Sequence, residues 1–252
     1  MTPVLRLART TAGRVRRALR QRLSPPKPPP RSPWEDEETV FRRIAALRPD
    51  IVLDVGANAG QFVDRLRKGG YAGRVISFEP QGQVFDALKK RVENAPEWEC
   101  HRLALGDAAS TLDMHVSAFS PSSSLLPIGK LHVDLMPQTA EVGVESVRVI
   151  RLDQWPEAPR LADRRLFLKI DVQGYEMPVL RGMGALISQV DGALVELNFS
   201  PLFDGQSRYY EVMGALEAAG LRFLGLTGVQ LHASSADFLW ADAFFVRRSG
   251  AS

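Results

Sequence analysis

Short apolar runs alternate along the chain with longer stretches in which apolar residues recur at helical spacing. This alternation favours an α/β fold, a mostly parallel sheet with helices on both faces. The pattern predicts strands near residues 51–55, 74–78, 98–103, 166–171, 192–198 and 221–226. It predicts helices near 61–68, 82–93, 176–189 and 208–219, and an earlier one from the acidic cluster Glu35–Glu38 to about Leu47.

Two regions depart from the simple alternation. Residues 111–150 have the pattern of extra strands around a polar loop, Ser117–Pro127, rather than of a core helix. Phe238–Arg247 has the pattern of a strand with no helix after it. We therefore expect this last strand to insert antiparallel at the edge of the sheet.

The first predicted strand carries the clearest chemical signal. Ile51–Val55 is apolar except for Asp54, and the turn after it contains Gly56 and Gly60, which allow close approach of a ligand to the backbone. The next strand ends in Glu79, where a carboxylate can bind the two hydroxyls of a ribose. Together these features predict a nucleoside cofactor.

The details of the turn favour S-adenosylmethionine over a dinucleotide. The usual dinucleotide signature is Gly-x-Gly-x-x-Gly, but Asn58 replaces the middle glycine and the last spacing is one residue short. Asp54 would repel a pyrophosphate, whereas it suits the amino group or the sulfonium of S-adenosylmethionine. An ordinary strand–helix turn capped by Asn58 remains the alternative without a ligand.

An ordered series of motifs extends this interpretation to most of the chain, and it resembles the FkbM family of methyltransferases over roughly residues 40–247. The motifs are Asp54–Phe62, Phe78-Glu79-Pro80, Ala104–Asp107, Ser122–Leu125, Leu152-Asp153 and Leu168–Glu176. The resemblance implies a Rossmann-like class I methyltransferase fold with an antiparallel last strand. It also implies O-methylation of a natural-product or glycan hydroxyl. In one departure, Gln173 stands where the family usually has Glu, which keeps the shape and loses the charge.

The polar residues at the ends of the predicted strands are the site candidates, because ligands of open α/β sheets bind at the carboxyl ends of the strands. Asp54, Gly56, Asn58 and Gly60 would surround the methionine part of the cofactor. The full cofactor-binding set is Asp54, Gly56, Asn58, Gly60, Glu79 (ribose), Asp107 (adenine amino group) and Asp171. For Asp107, a simple turn acid is an equal alternative.

The acceptor hydroxyl needs a base, since an alcohol is a poor nucleophile until its proton leaves. Asp171 is the first candidate for the catalytic base and Glu196 is the second. Lys169 is expected on the opposite side of the strand from Asp171, as a counter-ion. Asp171, Glu196 and Asn198 could instead bind a divalent cation, but hard cations usually gather more oxygen ligands, so no metal is assigned. His115 and His132 are secondary candidates for acceptor contact or base.

Charge separates the N-terminal segment from the rest. Residues 1–34 hold nine of the 32 Lys and Arg residues and no acid, so the remainder has six more acidic than basic groups. The basic character therefore gives no reason to expect a nucleic-acid-binding domain. We expect a basic, Pro-rich extension at 1–33 and a methyltransferase domain at 34–252. Residues 4–23 could form an amphipathic helix on a membrane surface, or a solvated extension.

Composition favours a cytoplasmic protein, and membrane association through that extension is the alternative that the amphipathic helix would add. There is no apolar run long enough to span a bilayer. Cys100 is the single cysteine, so no intrachain disulfide can form, and a reducing compartment is the easier interpretation.

Two other functional classes remain open at this stage. A nicotinamide-dependent oxidoreductase is disfavoured by Asn58 and by the lack of a clear Tyr/Lys or His catalytic pair. A non-catalytic nucleoside-binding fold with a membrane-binding tail is disfavoured by the intact Asp54, Glu79 and Asp171. The acceptor is expected to be a small molecule or glycan, selected by the loops in 111–150 and 199–210.

Overall fold

The computed structural model describes residues 34 and 36–248, and its centre is a seven-stranded sheet in the order β3-β2-β1-β7-β8-β10-β9. Its strands are β1 (Ile51–Val55), β2 (Arg74–Phe78), β3 (Trp98–His101), β7 (Leu166–Ile170), β8 (Val190–Asn198), β9 (Leu221–Leu231) and β10 (Phe238–Arg247). The first five are parallel, and β10 runs antiparallel to both of its neighbours. The α/β class with an antiparallel last strand is confirmed.

A second sheet of three strands, in the order β4-β6-β5, covers one side of the cleft described below. It consists of β4 (Ala104–Leu105), β5 (Ser110–Ser117) and β6 (Glu141–Ile150). The helices are α1 (Glu37–Leu47), α2 (Gln61–Lys68), α3 (Gly82–Val92), α4 (Lys130–Leu135), α5 (Glu176–Gly182) and α6 (Tyr209–Ala218). Short 3-10 turns cover Ser120–Ser122, Pro137–Thr139, Leu152–Gln154, Ala158–Leu161 and Gly184–Gln189.

Three details differ from the sequence predictions. The predicted helix 176–189 divides into α5 and a 3-10 turn, because Gly184 adopts a positive φ of 51° between them. The 111–150 region contains the extra strands as expected, and also the short helix α4. The edge position of the last strand was wrong: β10 pairs with β8 on one side and β9 on the other. Its run of buried apolar residues, including Phe244 and Phe245, suits a central strand.

Each face of the main sheet has its own apolar core. Leu53 and Leu168 point to the face covered by α5 and α6, whereas Val52 and Phe167 point to the face covered by α1 and α2. Strand positions alternate between faces, so Asp54 in β1 and Lys169 in β7 lie on the α1–α2 face, together with Val52 and Phe167.

The registers of the parallel strands align their carboxyl ends. Val55 in β1 is paired with Phe78 in β2 and with Ile170 in β7, which is paired with Val195 in β8. The residues that follow these four positions therefore lie side by side along one edge of the sheet, which is where open α/β sheets bind ligands.

The predicted basic extension, its amphipathic helix and its Pro-rich spacer lie outside the described residues. Membrane contact through residues 4–23 therefore stays a prediction. Within the described part of the chain, no helix has the length and apolar character needed to cross a bilayer.

Gly182 offers a test of the packing between α5 and the second sheet. A Cβ at Gly182 would lie 1.9 Å from the carbonyl oxygen of Gly106, which is backbone and cannot swing away. We expect Gly182→Ala to lower the free energy of unfolding by about 1–3 kcal/mol, the usual cost of overpacking. Urea denaturation of the purified variant measures this change.

Gly214→Ala is the matched control, since this glycine lies inside α6 with nothing within 4 Å of the added Cβ. It should raise the free energy of unfolding by about 0.4–1 kcal/mol through the restricted unfolded chain. Equal effects of the two substitutions would show that α5 does not pack against Gly106 as described.

Candidate functional site

The turn between β1 and α2 forms the centre of the carboxyl edge. Gly56 has a φ of 77°, and a Cβ there would lie 1.8 Å from the carbonyl oxygen of Asp171. The N–H groups of Gly56 and Ala57 both donate to the carbonyl of Phe78, at 3.0 and 3.1 Å. Gly60, with a φ of 87°, caps α2. Glycine at position 56 therefore allows the turn to lie directly over the end of β7.

Glu79 joins this turn to the end of β2. Its Oε2 accepts from the backbone N–H of Asn58 at 2.8 Å, and its Oε1 accepts from that of Gln81 at 2.9 Å. The side chain is 5% exposed, and burial raises the pKa of Glu79 to about 7, against the two hydrogen bonds that lower it. Because a carboxylate has about four lone-pair sites, each oxygen can still accept from a ligand.

A cleft with a volume of about 620 Å³, counting its open mouth, lies beside Glu79. Its walls combine Glu79, Gly56 and Asn58 from the predicted set with a largely apolar slot. The slot is formed by Phe78, Leu103, Leu105, Met114 and Tyr175. The sequence does not mark Leu103, Met114 and Tyr175 as site residues, because apolar and aromatic residues in strands and turns carry no signal that separates a ligand wall from the core.

The loop that contains the polar segment 117–127 closes the cleft from above. Ser124 Oγ donates to the carbonyl of Gln173 at 2.7 Å, and the Asn58 side chain lies 3.4 Å from Ser120 Oγ. These contacts attach the loop to the carboxyl edge of the sheet. Ser120, Pro121 and Ser123–Leu125 therefore form part of the cleft wall.

Asp54 lies below the turn and does not line the cleft. It is completely buried: Oδ2 accepts from Ser77 Oγ at 3.0 Å, and Oδ1 lies 3.4 Å from the ammonium of Lys169. The same ammonium lies 3.6 Å from Asp171 Oδ2. The expectation that Lys169 points away from Asp171 was wrong, because residues two apart in a strand share a face.

Asp107 also lies away from the cleft walls. Its carboxylate pairs with Arg181 at 3.2 Å on the surface, and its carbonyl accepts from Arg151 at 2.8 Å. The role of Asp107 in binding adenine stays a prediction.

Asp171 and Glu196 are brought together by Gln173. The amide nitrogen of Gln173 donates to Asp171 Oδ1 at 2.7 Å and to Glu196 Oε1 at 2.9 Å. The Asp171 side chain is about one-third exposed, whereas Glu196 is buried. Burial, followed by the charges of Asp171 and Asp242, raises the pKa of Glu196 well above its ordinary value. Gln173 therefore joins a partly exposed carboxyl group and a buried one in a single hydrogen-bonded unit.

A second pocket, of about 500 Å³ with its open space, begins on the other side of this unit. Asp171, Gln173, Glu196 and Asn198 form its floor. Pro121, Asp171 and Gln173 belong to the walls of both this pocket and the cleft, so the two spaces meet at Asp171.

The histidine candidates separate in the structure. His132 lines the second pocket, whereas His115 pairs with Glu141 at 2.7 Å and lines neither space. Among the described residues, no three His, Cys, Asp or Glu side chains converge in a way that could hold a metal ion.

Comparison with known proteins gives one family and several distant relatives. The model described as the methyltransferase FkbM domain matches residues 54–223. The chain is 29% identical over 165 residues to Methyltransferase 1 of Beauveria bassiana, covering 58% of this chain and 64% of that protein. It is 27% identical over 164 residues to the hexuronic acid methyltransferase AglP of Haloferax volcanii, covering 64% and 62%.

The chain thus spans a little less than two thirds of the length of these curated relatives. Among solved structures, it is similar to the methyltransferase FkbM of Methylobacillus flagellatus KT. That match has a TM-score of 0.46 and 15% identity, and covers 79% of this chain and 43% of that one.

The buried acids predict how stability changes with pH. Burial raises the pKa of Glu176, like that of Glu79, from 4.5 to about 7. Between these values the folded state keeps protons that the unfolded state has released, so the free energy of unfolding falls as pH rises. Each pKa shift corresponds to a decrease in the free energy of unfolding on the order of 3 kcal/mol between pH 4.5 and 7.

Glu176→Gln removes one of these titrations and keeps an oxygen for the Gly174 N–H, 2.9 Å from the native carboxylate. Urea denaturation of the ligand-free protein from pH 5 to 8 should show the variant gaining stability relative to wild type as pH rises. Glu93→Gln is the control, since Glu93 is exposed at the end of α3. Its free energy of unfolding should change with pH in the same way as that of the wild type. A constant difference between wild type and Glu176→Gln would contradict the assignment.

Proposed function

The chain belongs to the FkbM methyltransferase family, and on that basis we propose that it transfers a methyl group from S-adenosylmethionine to a hydroxyl group of a saccharide or another natural product. The observation that carries the proposal is the position of Asp171, where the nucleoside-type cleft and the second pocket meet. A group transferred between ligands in these two spaces would pass beside a partly exposed carboxylate.

The cleft has the chemistry that S-adenosylmethionine needs. Glu79 offers carboxylate oxygens to a ribose, and the apolar slot between Phe78 and Tyr175 suits a flat ring. Gly56 and Asn58 present backbone and amide groups to the amino-acid end of the cofactor. Asp54 would act there only through Lys169 and the turn above it, since it has no exposed surface. The bound cofactor would supply an electrophilic methyl group on its sulfonium.

Asp171 is the residue we assign as general base. A carboxylate at this position can accept the proton of an acceptor hydroxyl as the oxygen attacks. Gln173 fixes one oxygen of Asp171 by a 2.7 Å hydrogen bond, and Lys169 places a positive charge 3.6 Å from the other. This arrangement leaves the carboxyl group oriented and accessible.

Glu196 has the opposite character. Its raised pKa favours the protonated form, which is a poor proton acceptor but can donate a hydrogen bond. Asp171, in contrast, is about one-third exposed at the point where the cleft and the second pocket meet. We therefore place proton removal at Asp171 and acceptor positioning at Glu196.

The similarity to the hexuronic acid methyltransferase AglP supports a saccharide acceptor, although a different natural product with a free hydroxyl would meet the same chemistry. The chain also lacks the Asn/Asp-Pro-Pro-aromatic motif after β7 that favours amine and amide acceptors. Both observations favour oxygen as the methylated atom.

Glu79 provides a test of the cofactor site. We expect Glu79→Ala to weaken binding of S-adenosylhomocysteine by one to two orders of magnitude, from the loss of hydrogen bonds to a charged acceptor. Because ribose hydroxyls donate to the ionised carboxyl group, wild-type affinity should rise with pH up to about 7 and then level off. Isothermal titration calorimetry between pH 6 and 8 measures both effects.

Glu93→Ala is the control for this measurement, because Glu93 is exposed at the end of α3 and does not line the cleft. A folded Glu79→Ala protein with wild-type affinity would remove the ribose assignment.

Asp171→Asn tests the base. The amide has nearly the same volume, so affinity for S-adenosylhomocysteine should be retained while turnover falls by roughly 10²–10⁴, the usual contribution of general base catalysis. The measurement is transfer of labelled methyl from S-adenosylmethionine to a panel of glycosides. Asp86→Asn, a change of the same type at an exposed position of α3, should turn over normally.

Turnover in the presence of a chelator distinguishes a role of Asp171 as general base from a role as metal ligand. If Asp171 held a catalytic cation, EDTA would abolish wild-type turnover and Mg²⁺ or Mn²⁺ would restore it. We expect no loss with EDTA. Near-normal turnover by Asp171→Asn would rule out both roles and move proton removal to Glu196 or His132.

A further inference from the structure

The second pocket contains two buried polar side chains that have no hydrogen-bond partner among the described residues. Asn198, at the end of β8, is 3% exposed, and neither its amide oxygen nor its amide nitrogen is bonded. His132, on α4, is 2% exposed, and its Nδ1 is also unbonded. A buried polar group without a partner costs about 1–3 kcal/mol, so three such atoms in one pocket call for a ligand.

The types of these atoms indicate which ligand would satisfy them. The Asn198 amide has both a donor and an acceptor, and a hydroxyl is the group that can complement either. Burial lowers the pKa of His132, which favours the neutral imidazole, so its Nδ1 pairs with a hydroxyl without introducing charge. The floor beside them, at Asp171 and Glu196, also carries groups that bond hydroxyls.

The charged groups of the second pocket further restrict which ligand it can bind. Its titratable walls are Asp171, Glu196 and His132, and none of the described residues that line it is Lys or Arg. The nearby ammonium of Lys169 is directed to Asp54, Asp171 and the carbonyl of Gly56 instead. A ligand carboxylate would therefore be buried beside other acids with no counter-ion, which is strongly unfavourable.

One wall of the pocket is aromatic. Trp240 in β10 is the cross-strand partner of Asn198, so its side chain stands next to the amide. The His132 ring lies 6.5 Å from Trp240 and 5.0 Å edge-on from Phe203, which holds it in place. An indole beside several hydroxyl-binding atoms provides an apolar surface for the C–H face of a sugar ring.

We propose that this pocket is the acceptor subsite, in which Asn198 and His132 bind hydroxyls of a neutral ring and Trp240 supports its apolar face. The inference rests on the proposed function, and it adds that the accepted saccharide is uncharged at this position, unlike the hexuronic acid that the name of the relative AglP gives. It also makes Asn198, His132 and Trp240 the residues that select the acceptor, with the hydroxyl to be methylated directed to Asp171.

Saturation-transfer NMR tests the pocket without turnover. The protein, loaded with S-adenosylhomocysteine, is mixed separately with methyl α-glucopyranoside, methyl α-rhamnopyranoside and the methyl glycoside of glucuronic acid. We expect saturation of ring protons in a neutral glycoside and none in the uronate. Asn198→Leu and His132→Phe should each reduce the signal at least about fivefold, as expected for the loss of one hydrogen bond.

Asn94→Leu is the matched control, since it makes the same change on an exposed asparagine. Asn198→Leu should fold, because replacing an unbonded buried amide by an apolar side chain of similar size removes a desolvation penalty. Its melting temperature should equal or exceed that of wild type, which distinguishes loss of the subsite from loss of the fold.

Three results would overturn the inference: no signal from either neutral glycoside, an equal signal from the uronate, or unchanged signals in both variants. Calorimetry with S-adenosylhomocysteine reports on the proposed function separately. Wild-type protein that binds S-adenosylhomocysteine but gives one of these three results would refute the acceptor subsite alone. Protein that does not bind it would refute the proposed function.

Discussion

The site depends on one buried ammonium group. Lys169 Nζ lies 3.4 Å from Asp54 on β1 and 3.6 Å from Asp171 after β7, and it donates to the carbonyl of Gly56 at 2.5 Å. Burial by itself would lower the pKa of Lys169, but the carboxylates of Asp171 and Asp54 raise it, so the group stays charged. Because a buried charge must be paired, these contacts fix the glycine turn and Asp171 relative to each other. Removal of one partner from such a buried charged group typically lowers the free energy of unfolding by about 3–5 kcal/mol.

The positions of strands and their ends could be predicted because they follow from local periodicity. The same reasoning placed Glu79 and Asp171 at one edge of the sheet, as the structure does. It could not show that Asp54 is fully buried, since that depends on Ser77 and on a lysine more than 100 residues away. The arrangement of the second pocket could not be predicted from local sequence patterns for the same reason. His132 and Trp240 reach it from distant segments, and only the β8–β10 pairing brings Trp240 beside Asn198.

Gln173 shows how one substitution changes the character of a site. Its backbone is in the left-handed region, with a φ of 56°, which turns the side chain between Asp171 and Glu196. The amide nitrogen gives a donor to both carboxyl groups. A glutamate in this position, as the resemblance to the family would lead one to expect, would replace that donor with a third acid. The amide therefore holds together a pair that a carboxylate would push apart.

The insertion of β10 between β8 and β9 sets the order in which the molecule can assemble. Strands β2, β3, β7 and β8 can pair as soon as each has been synthesised, because each joins a strand that precedes it in the chain. By contrast, β8 gains its second neighbour only after about 40 further residues, when β10 has formed. Contacts between distant residues form late because the loop must close first. During synthesis on the ribosome, the nucleoside cleft can thus be complete while the wall formed by Trp240 is still absent. The strand edge of β8 is exposed for that interval, which is the period when a growing chain of this fold is most open to chaperones and to aggregation.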